Sequence, residues 1–320
     1  MARSRVISPS ASDRLPGRHD PAVELLATAV PGVTPPHPAG ALVLALNGGL
    51  PPLIGRYRIE KRLGQGAMGT LYLGRETADG SAPVAIKVVA LPQHATPPDR
   101  LAVKARFFHE AEAVSRLRHP AIIRVFETGE AHGLIYIAME YLGGGDLTPH
   151  VRPAALLPVT RVLSIAGQVA AALSCVHACG IVHRDIKPAN ILLGAGGGSV
   201  KLTDFGIACL ADAQVPGAAG TPFYMSPEQA EGGRVDARSD LFALGITLYQ
   251  LASGRLPFEG SSRAQVLWRI VHAPHAPIAG CDPALAGIVD RALAKRPQDR
   301  FQTAAEMALA LGRACRLRSK

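Results

Sequence analysis

The stretch "GIVHRDIKPANILL" (residues 180–193) packs His183, Arg184, Asp185, Lys187 and Asn190 between two apolar runs. A compact polar loop with apolar flanks reads as a functional loop on a rigid scaffold, because loops anchored by a packed core are where binding and catalytic groups collect. Upstream, "TRVLSIAGQVAAALSCVHACG" has the apolar spacing of a long helix ended by a glycine. Downstream, "VKLTDFGIA" (200–208) sets Asp204 just after a strand-like run. Acidic and amide oxygens from these two loops, Asp204 and Asn190, suit Mg²⁺ held against phosphate oxygens. Asp185 can accept or orient a hydroxyl proton, and Lys187 can neutralise a phosphate in transfer.

Further out, the two halves of the chain differ in texture. "YRIEKRLGQGAMGTLYLGRET" from Tyr57 alternates like a hairpin broken by glycines, and "APVAIKVVAL" is a β-branched strand. "RLAVKARFFHEAEAVSRLRH" is helical, with Leu101, Val103, Phe107, Phe108, Ala111, Val114 and Leu117 near one side. "AIIRVFETGEAHGLIYIAMEY" reads as two strands across a turn. After the flexible "GGG" at 143–145, helical patterns dominate, with helices expected in "DARSDLFALGITLYQLASG" and at 262–272, 283–294 and 303–313. The sequence therefore predicts a strand-rich lobe with one helix, a larger helical lobe, and a ligand cleft between them. Residues 1–52, rich in Pro and Gly, read as a disordered tail whose Ser4, Ser8, Ser10 and Ser12 are solvated linker residues.

Gly64, Gly66 and Gly69 stand in G-x-G-x-x-G spacing. A dinucleotide-binding turn has that spacing between a strand and a helix, with an acid about twenty residues on. Here strands lie on both sides and a lysine follows, Lys87 in "VAIK". This fits a glycine hairpin over phosphates followed by a strand lysine, and argues against a nicotinamide oxidoreductase. A covered ammonium needs a counter-ion. Glu110 on the next helix is the expected partner. Glu112 lies about 200° around that helix, so only one of the two can face the strand.

The motifs resemble those of the eukaryotic-like protein kinase domain, above all the bacterial serine/threonine protein kinases. "GQGAMG", "VAIK", Glu110, "HRDIKPAN", "DFG", "GTPFYMSPE", Asp240 and Arg300 follow the family's order from about 57 to 315. The resemblance implies an α+β, bilobal kinase fold over 53–315, with a β-rich N-lobe (about 53–142), a mostly helical C-lobe (about 143–315) and a basic tail at 316–320. It implies ATP, with Mg²⁺ or Mn²⁺, as cofactors and protein Ser/Thr hydroxyls as acceptors, autophosphorylation included. Asp185 is then the catalytic base, Lys187 and Thr221 shape the acceptor pocket, and Lys87 pairs with Glu110 and meets the α- and β-phosphates. Asn190 and Asp204 are the metal ligands. Leu63, Gly64, Gln65, Gly66 and Gly69 cover the nucleotide. Leu71, Ala85 and Leu192 sandwich adenine, Met139 is the gatekeeper, Glu140 and Leu142 supply hinge backbone groups, and Asp146 meets the ribose. His183, Phe205 and Val114 belong to an apolar stack joining the lobes, and Glu228 pairs with Arg300.

Two departures stand out. Leu71 replaces the family's usual Val. The segment "IACLADAQVPGAAG" (207–220) has no Ser, Thr or Tyr, so no phosphorylated residue before Thr221 can pair with Arg184. The expectation is a loop not switched by phosphorylation, with Asp212 as a partial substitute. Retention of Lys87, Asp185, Asn190 and Asp204 argues against an inactive scaffold, and "GTPFYMSPEQA" argues against a small-molecule phosphotransferase.

The bulk numbers are consistent with this. A chain of 320 residues with 48% hydrophobic content can bury a large core. The net charge of +9 comes without a basic stripe interleaved with aromatics, which excludes a nucleic-acid partner. The five cysteines form no disulfide framework or CxxC pair, which suits a reducing cytosol, and Cys175 and Cys179 are expected as buried small hydrophobes. No membrane-spanning stretch and no signal peptide are read, so a cytoplasmic protein is expected, with a homodimer through the N-lobe as a further option.

Overall fold

The computed structural model describes residues 51–66, 69–77, 82–89, 96–131, 133–205 and 222–318. The first lobe is a six-stranded antiparallel sheet in the order β1-β2-β3-β4-β6-β5. The strands are β1 (Leu53–Ile54), β2 (Tyr57–Gly66), β3 (Gly69–Glu76), β4 (Pro83–Val89), β5 (Val125–Ala131) and β6 (Leu134–Glu140). Helix α1 (Pro97–Ser115) joins β4 to β5.

The period-2 alternation of β4 decides which residues face the cleft. Val84, Ile86 and Val88 join Tyr57, Tyr72 and Tyr136 in an outer apolar cluster. Ala85 and Val89 join the main core instead. Lys87 therefore shares its face with Ala85. The glycine hairpin closes at the Gly66–Gly69 pair. Gly69 has φ of 133°, and a Cβ there would stand 1.9 Å from the Val88 carbonyl oxygen, so no other residue lets β3 start against β4.

The second lobe is built on α2 (Val159–Ala178), which packs against α4 (Ala237–Ser253) and α7 (Ala304–Leu317). Its buried Val162, Ile165, Val169, Leu173 and Val176 recur at helical spacing. The short α3 (Pro227–Ala230), α5 (Arg263–His272) and α6 (Pro283–Ala292) complete the lobe. Asp236, Ser262, Asp282 and Thr303 cap α4, α5, α6 and α7 through their side chains, satisfying amides that the first helical turn leaves unpaired. A two-stranded hairpin, β7 (Ile191–Leu193) with β8 (Val200–Leu202), sits beside the polar loop.

The expected two-lobed α+β architecture is observed, with four corrections. α2 is long and apolar enough to cross a membrane by length and composition, against the reading that no stretch is. It is instead the central core helix, half buried by its neighbours. Leu101 is 69% exposed rather than on the packed side of α1, because the buried side is set by Val103, Phe107, Ala111 and Val114 and Leu101 lies about 200° around the helix from Val103. Cys179 is exposed because α2 ends at Ala178, so the shared helical face with Cys175 stops short of it. Gly144, read as part of a flexible joint, lies tight against the backbone of Leu193 and Gly194. The expectations for the tail up to residue 50, and for Asp212, Thr221 and the 207–220 loop, lie outside the described residues.

Candidate active site

The polar loop leaves α2 at Gly180 and reaches β7 through a turn at Pro188–Asn190. What fixes its path is Asp240, 1% exposed in the first turn of α4. Its Oδ1 accepts the Arg184 amide at 2.7 Å, and its Oδ2 accepts the His183 amide at 2.8 Å and His177 Nε2 at 2.7 Å. These charge-assisted bonds hold Arg184 at φ of 67°, a conformation that costs a non-glycine residue strain. Asp185 comes next and is thereby aimed away from the core.

Buried His183 fixes the other side of the loop. Burial pushes its pKa below the ordinary 6.5, outweighing the nearby carboxylates. The neutral ring accepts the Asp185 amide at Nδ1 (3.3 Å), so Nε2–H donates to the Thr203 carbonyl at 2.9 Å. Its ring lies 4.7 Å from that of Phe205. One imidazole thus ties the loop holding Asp185 to the segment holding Asp204. The expected contact of His183 with Phe205 is present, and Val114 joins Phe205 around a cavity of about 230 Å³.

The Asp185 carboxylate is held on both sides. Lys187 Nζ lies 3.0 and 2.7 Å from its two oxygens. Asn190 Nδ2 donates to Oδ2 at 2.8 Å and to the Asp185 carbonyl at 2.7 Å. Both Asn190 amide protons point at Asp185, which leaves the Asn190 Oδ1 as the atom able to meet a cation. With the Asp204 carboxylate it makes an all-oxygen donor pair, as a hard divalent cation requires. No cluster of three His, Cys, Asp or Glu exists among the described residues. Two protein oxygens suit a cation whose remaining ligands are phosphate and water, so the donor set fits Mg²⁺.

Lys87 meets a carboxylate that the sequence did not offer it. Its Nζ makes a 2.7 Å ion pair with Asp204 Oδ1. Asp204 has φ of 58°, and this left-handed turn swings its carboxylate up to the sheet, where the mostly buried ammonium takes it as counter-ion. Glu110, the expected partner, lines the cavity with His109, Arg184 and Phe205. Glu112 pairs with Arg116 at 2.6 Å on the exposed side of α1, in line with the helical geometry.

The side chains expected around adenine are neighbours. Ala85 and Met139 are cross-strand partners in the main core, with Leu71, Leu142 and Leu192 packed against it. Leu71 is directly opposite Lys87. Thr203 Oγ1 donates to the Met139 sulfur at 3.8 Å, linking β6 to the segment that carries Asp204. Glu140 turns its carboxylate to Lys201 (2.9 Å) and its amide to the Arg124 carbonyl (2.9 Å), so its carbonyl is what it offers a base. Asp146 accepts the Thr148 amide at 2.7 Å, an Asx turn that partly occupies the carboxylate expected at the ribose. Leu63, Gly64 and Gln65 lie on β2, with Gln65 accepting from Arg62 at 3.4 Å.

Farther out, Arg300 is buried and bonds both Glu228 oxygens at 2.8 Å, as expected. Ser239 adds a 2.6 Å bond to Glu228, and the Ala294, Arg238 and Lys295 carbonyls take the remaining guanidinium protons. The sequence reading missed the linking roles of Thr203 and His177. The one signal for His177 was its place at the next-to-last residue of α2, just ahead of the loop.

The profile of the protein kinase domain matches residues 57–310. The chain is 42% identical over 269 residues to the serine/threonine-protein kinase Pkn1 of Myxococcus xanthus, covering 80% of this chain and 38% of that protein. It is 40% identical over 263 residues to pkn3 of the same organism, covering 77% and 47%. It is 39% identical over 270 residues to PknB of Mycobacterium leprae, covering 80% and 42%. The chain thus spans under half the length of these relatives. With matching motifs, matching fold and a profile covering most of its length, this chain belongs to the protein kinase domain family.

Proposed function

We propose that this chain is a serine/threonine protein kinase, transferring the γ-phosphate of ATP to protein hydroxyls, its own included. The observation that carries the reading is the Asp185 carboxylate clamped by Lys187 and Asn190, with the Lys87–Asp204 pair across the cleft. When bound, ATP supplies the phosphoryl group and Mg²⁺, or Mn²⁺, offsets its charge. Asp185 receives the acceptor hydroxyl proton or orients the hydroxyl for in-line attack. Lys187 holds the carboxylate in place and lies where the transferring charge develops. Lys87 exchanges Asp204 for phosphate oxygens, which frees that carboxylate, together with the Asn190 Oδ1, for the metal. Glu110 then becomes the counter-ion of Lys87, and Thr221 closes the pocket over a short aliphatic hydroxyl.

The names of the relatives support serine or threonine as acceptor, as does Lys187 itself. The thiols of Cys175, Cys179, Cys281 and Cys315 are free, which supports a reducing cytosol. Pairing through the N-lobe is part of the same proposal. The test is transfer of labelled γ-phosphate to the chain and to a generic protein acceptor. Asp185→Asn is expected to lower the rate by about 10²–10⁴-fold with ATP-dependent thermal stabilisation retained. Equal transfer by wild type and variant would overturn the assignment of Asp185.

A further inference from the structure

A cavity of about 590 Å³ lies where the α1–β5 connection, the end of β6 and β8 meet. Arg118, Arg124 and Lys201 line it against a single carboxylate, that of Glu140. Leu117, Pro120 and Ile122 supply apolar wall. Phe126, also in the lining, is 45% exposed and lies under the Arg124 guanidinium at 5.6 Å. A volume of this size suits a small ligand, and a few polar groups set in an apolar lining are what orient one.

The cations here have donors left over. Arg118 uses Nη1 on the Ser115 and Leu117 carbonyls, at 2.5 and 3.0 Å, which fixes its guanidinium at the end of α1. Among the described residues, neither Arg118 nor Arg124 has a carboxylate partner. Lys201, with 17% of its side chain exposed, pairs with Glu140 at 2.9 Å and donates to the Ile122 carbonyl at 3.3 Å. Its third ammonium proton has no acceptor among the described residues. His119 Nδ1 accepts the Ala121 amide at 3.1 Å, and burial followed by the Lys201 charge holds its pKa below 6.5. The ring is therefore neutral and carries its proton on Nε2, one more donor in the lining. Two uncompensated guanidinium charges, a lysine and an imidazole N–H make a set that a dianion matches.

From this we infer that the cavity is a second ligand site, taking a small aromatic phosphate monoester, and that its occupation is felt at the nucleotide cleft. The phosphate meets Arg118, Arg124 and Lys201, and the ring stacks on Phe126. A phosphate suits the site better than a carboxylate because it brings close to two charges and three acceptor oxygens. The link to the cleft is Glu140. Its carboxylate pairs with Lys201 in the cavity lining, its amide bonds the Arg124 carbonyl at 2.9 Å, and its own carbonyl is the group expected at adenine. A phosphate that takes Lys201 leaves Glu140 beside a like charge, so the backbone at the cleft shifts with it. Binding in the cavity stands apart from the phosphotransfer reading; the coupling rests on that reading, since it needs a nucleotide in the cleft.

The probe is phenyl phosphate, titrated into the chain by calorimetry with a saturating non-hydrolysable ATP analogue and Mg²⁺ present to fill the cleft. Wild type is expected to bind it, less tightly as salt is raised, and to bind benzoate more weakly. Arg124→Glu is expected to weaken binding about 10–100-fold, the effect of losing one hydrogen bond to a charged group. The Arg124 residue is exposed, so this variant is expected to keep the wild-type melting temperature. No binding, equal binding of benzoate, or equal affinity in the variant overturns the inference. A short phosphotyrosine peptide that binds more tightly than phenyl phosphate assigns the site to a protein partner and overturns the small-molecule ligand. In a second arm, the affinity of the ATP analogue is measured as phenyl phosphate is raised. The expected result is a loss of about fivefold that reaches a plateau in wild type and is absent in Arg124→Glu. No loss, or a loss that grows without limit as direct competition does, overturns the coupling. Failure of the phosphotransfer reading is distinguishable, because it removes binding of the analogue altogether and leaves the heat of phenyl phosphate binding in place.

Discussion

Asp240 organises the catalytic loop without reaching the reacting atoms. Its two oxygens receive three donors, and one of them holds Arg184 in the left-handed region. Asparagine at 240 keeps the shape but turns an NH₂ group toward a buried N–H. A buried donor facing another donor costs about 2–3 kcal/mol. Asp240→Asn is therefore expected to lower the melting temperature and to reduce kcat more than it changes the KM for ATP, since the adenine wall is formed by other segments. Unchanged kcat in a folded variant would show that Asp185 needs no such anchor. Asp185, Lys187 and Asn190 were legible in the sequence because they lie within six residues and the loop brings them together locally. Asp240 was visible only as a matching position, because its function depends on a contact across more than fifty residues. The Lys87–Asp204 pair went unread for a different reason. Spacing predicts which helix face Glu110 occupies, but the swing of Asp204 follows from one backbone dihedral that no side-chain pattern reports.

Among the elements, strong periodicity was read well and termini poorly. The hairpin of β2 and β3, and α2, α4, α5, α6 and α7, stand where alternation or helical spacing placed them, because each buries one continuous apolar face. Cys179 was misassigned because it falls beyond a helix end, and Leu101 because it lies on the side of α1 opposite Val103. The short β7–β8 pair offered too few residues to show a period. Lys295 was equally silent in the sequence, yet it sets how α5 is held, donating to the Ile270 and Arg269 carbonyls. Burial, followed by the Arg300 charge, pulls its pKa from 10.5 down to about 8. The sign follows from proton counts. Between about pH 8 and 10.5 the unfolded chain keeps a proton on Lys295 that the folded chain has released, so folding gains stability as pH rises through that window. At pH 7 both states are charged, and the folded state carries the burial penalty. Melting curves at pH 7 and pH 9 should show a smaller alkaline loss of stability in wild type than in Lys295→Met, which lacks this group. Parallel pH profiles of the two proteins would refute the assignment.

At the scale of the whole molecule, the two lobes meet at the segment 143–145, and the sequence read this triple glycine as a flexible joint. The structure gives its members different tasks. A Cβ on Gly143 would make only an ordinary 4.0 Å contact with Tyr141. A Cβ on Gly144 would lie 2.4 Å from the Leu193 carbonyl oxygen and 2.5 Å from that of Gly194, both backbone atoms that cannot step aside as a side chain does. Gly145 has φ of 76° and passes its carbonyl to the Leu193 amide at 2.8 Å. The joint is thus a close seam of the interlobe segment on β7, and Leu192, on that strand, is the side chain proposed to meet adenine. Alanine at 144 must push the seam open, at about 1–3 kcal/mol for overpacking against backbone. The displacement is passed to Leu192, so Gly144→Ala is expected to melt earlier and to raise the KM for ATP. Gly143→Ala serves as the matched control, with the same chemical change and no clash, and should melt at or near the wild-type temperature. If both variants behave alike, the three glycines do supply flexibility rather than close approach, and the lobes are joined more loosely than the Leu193 and Gly194 contacts require.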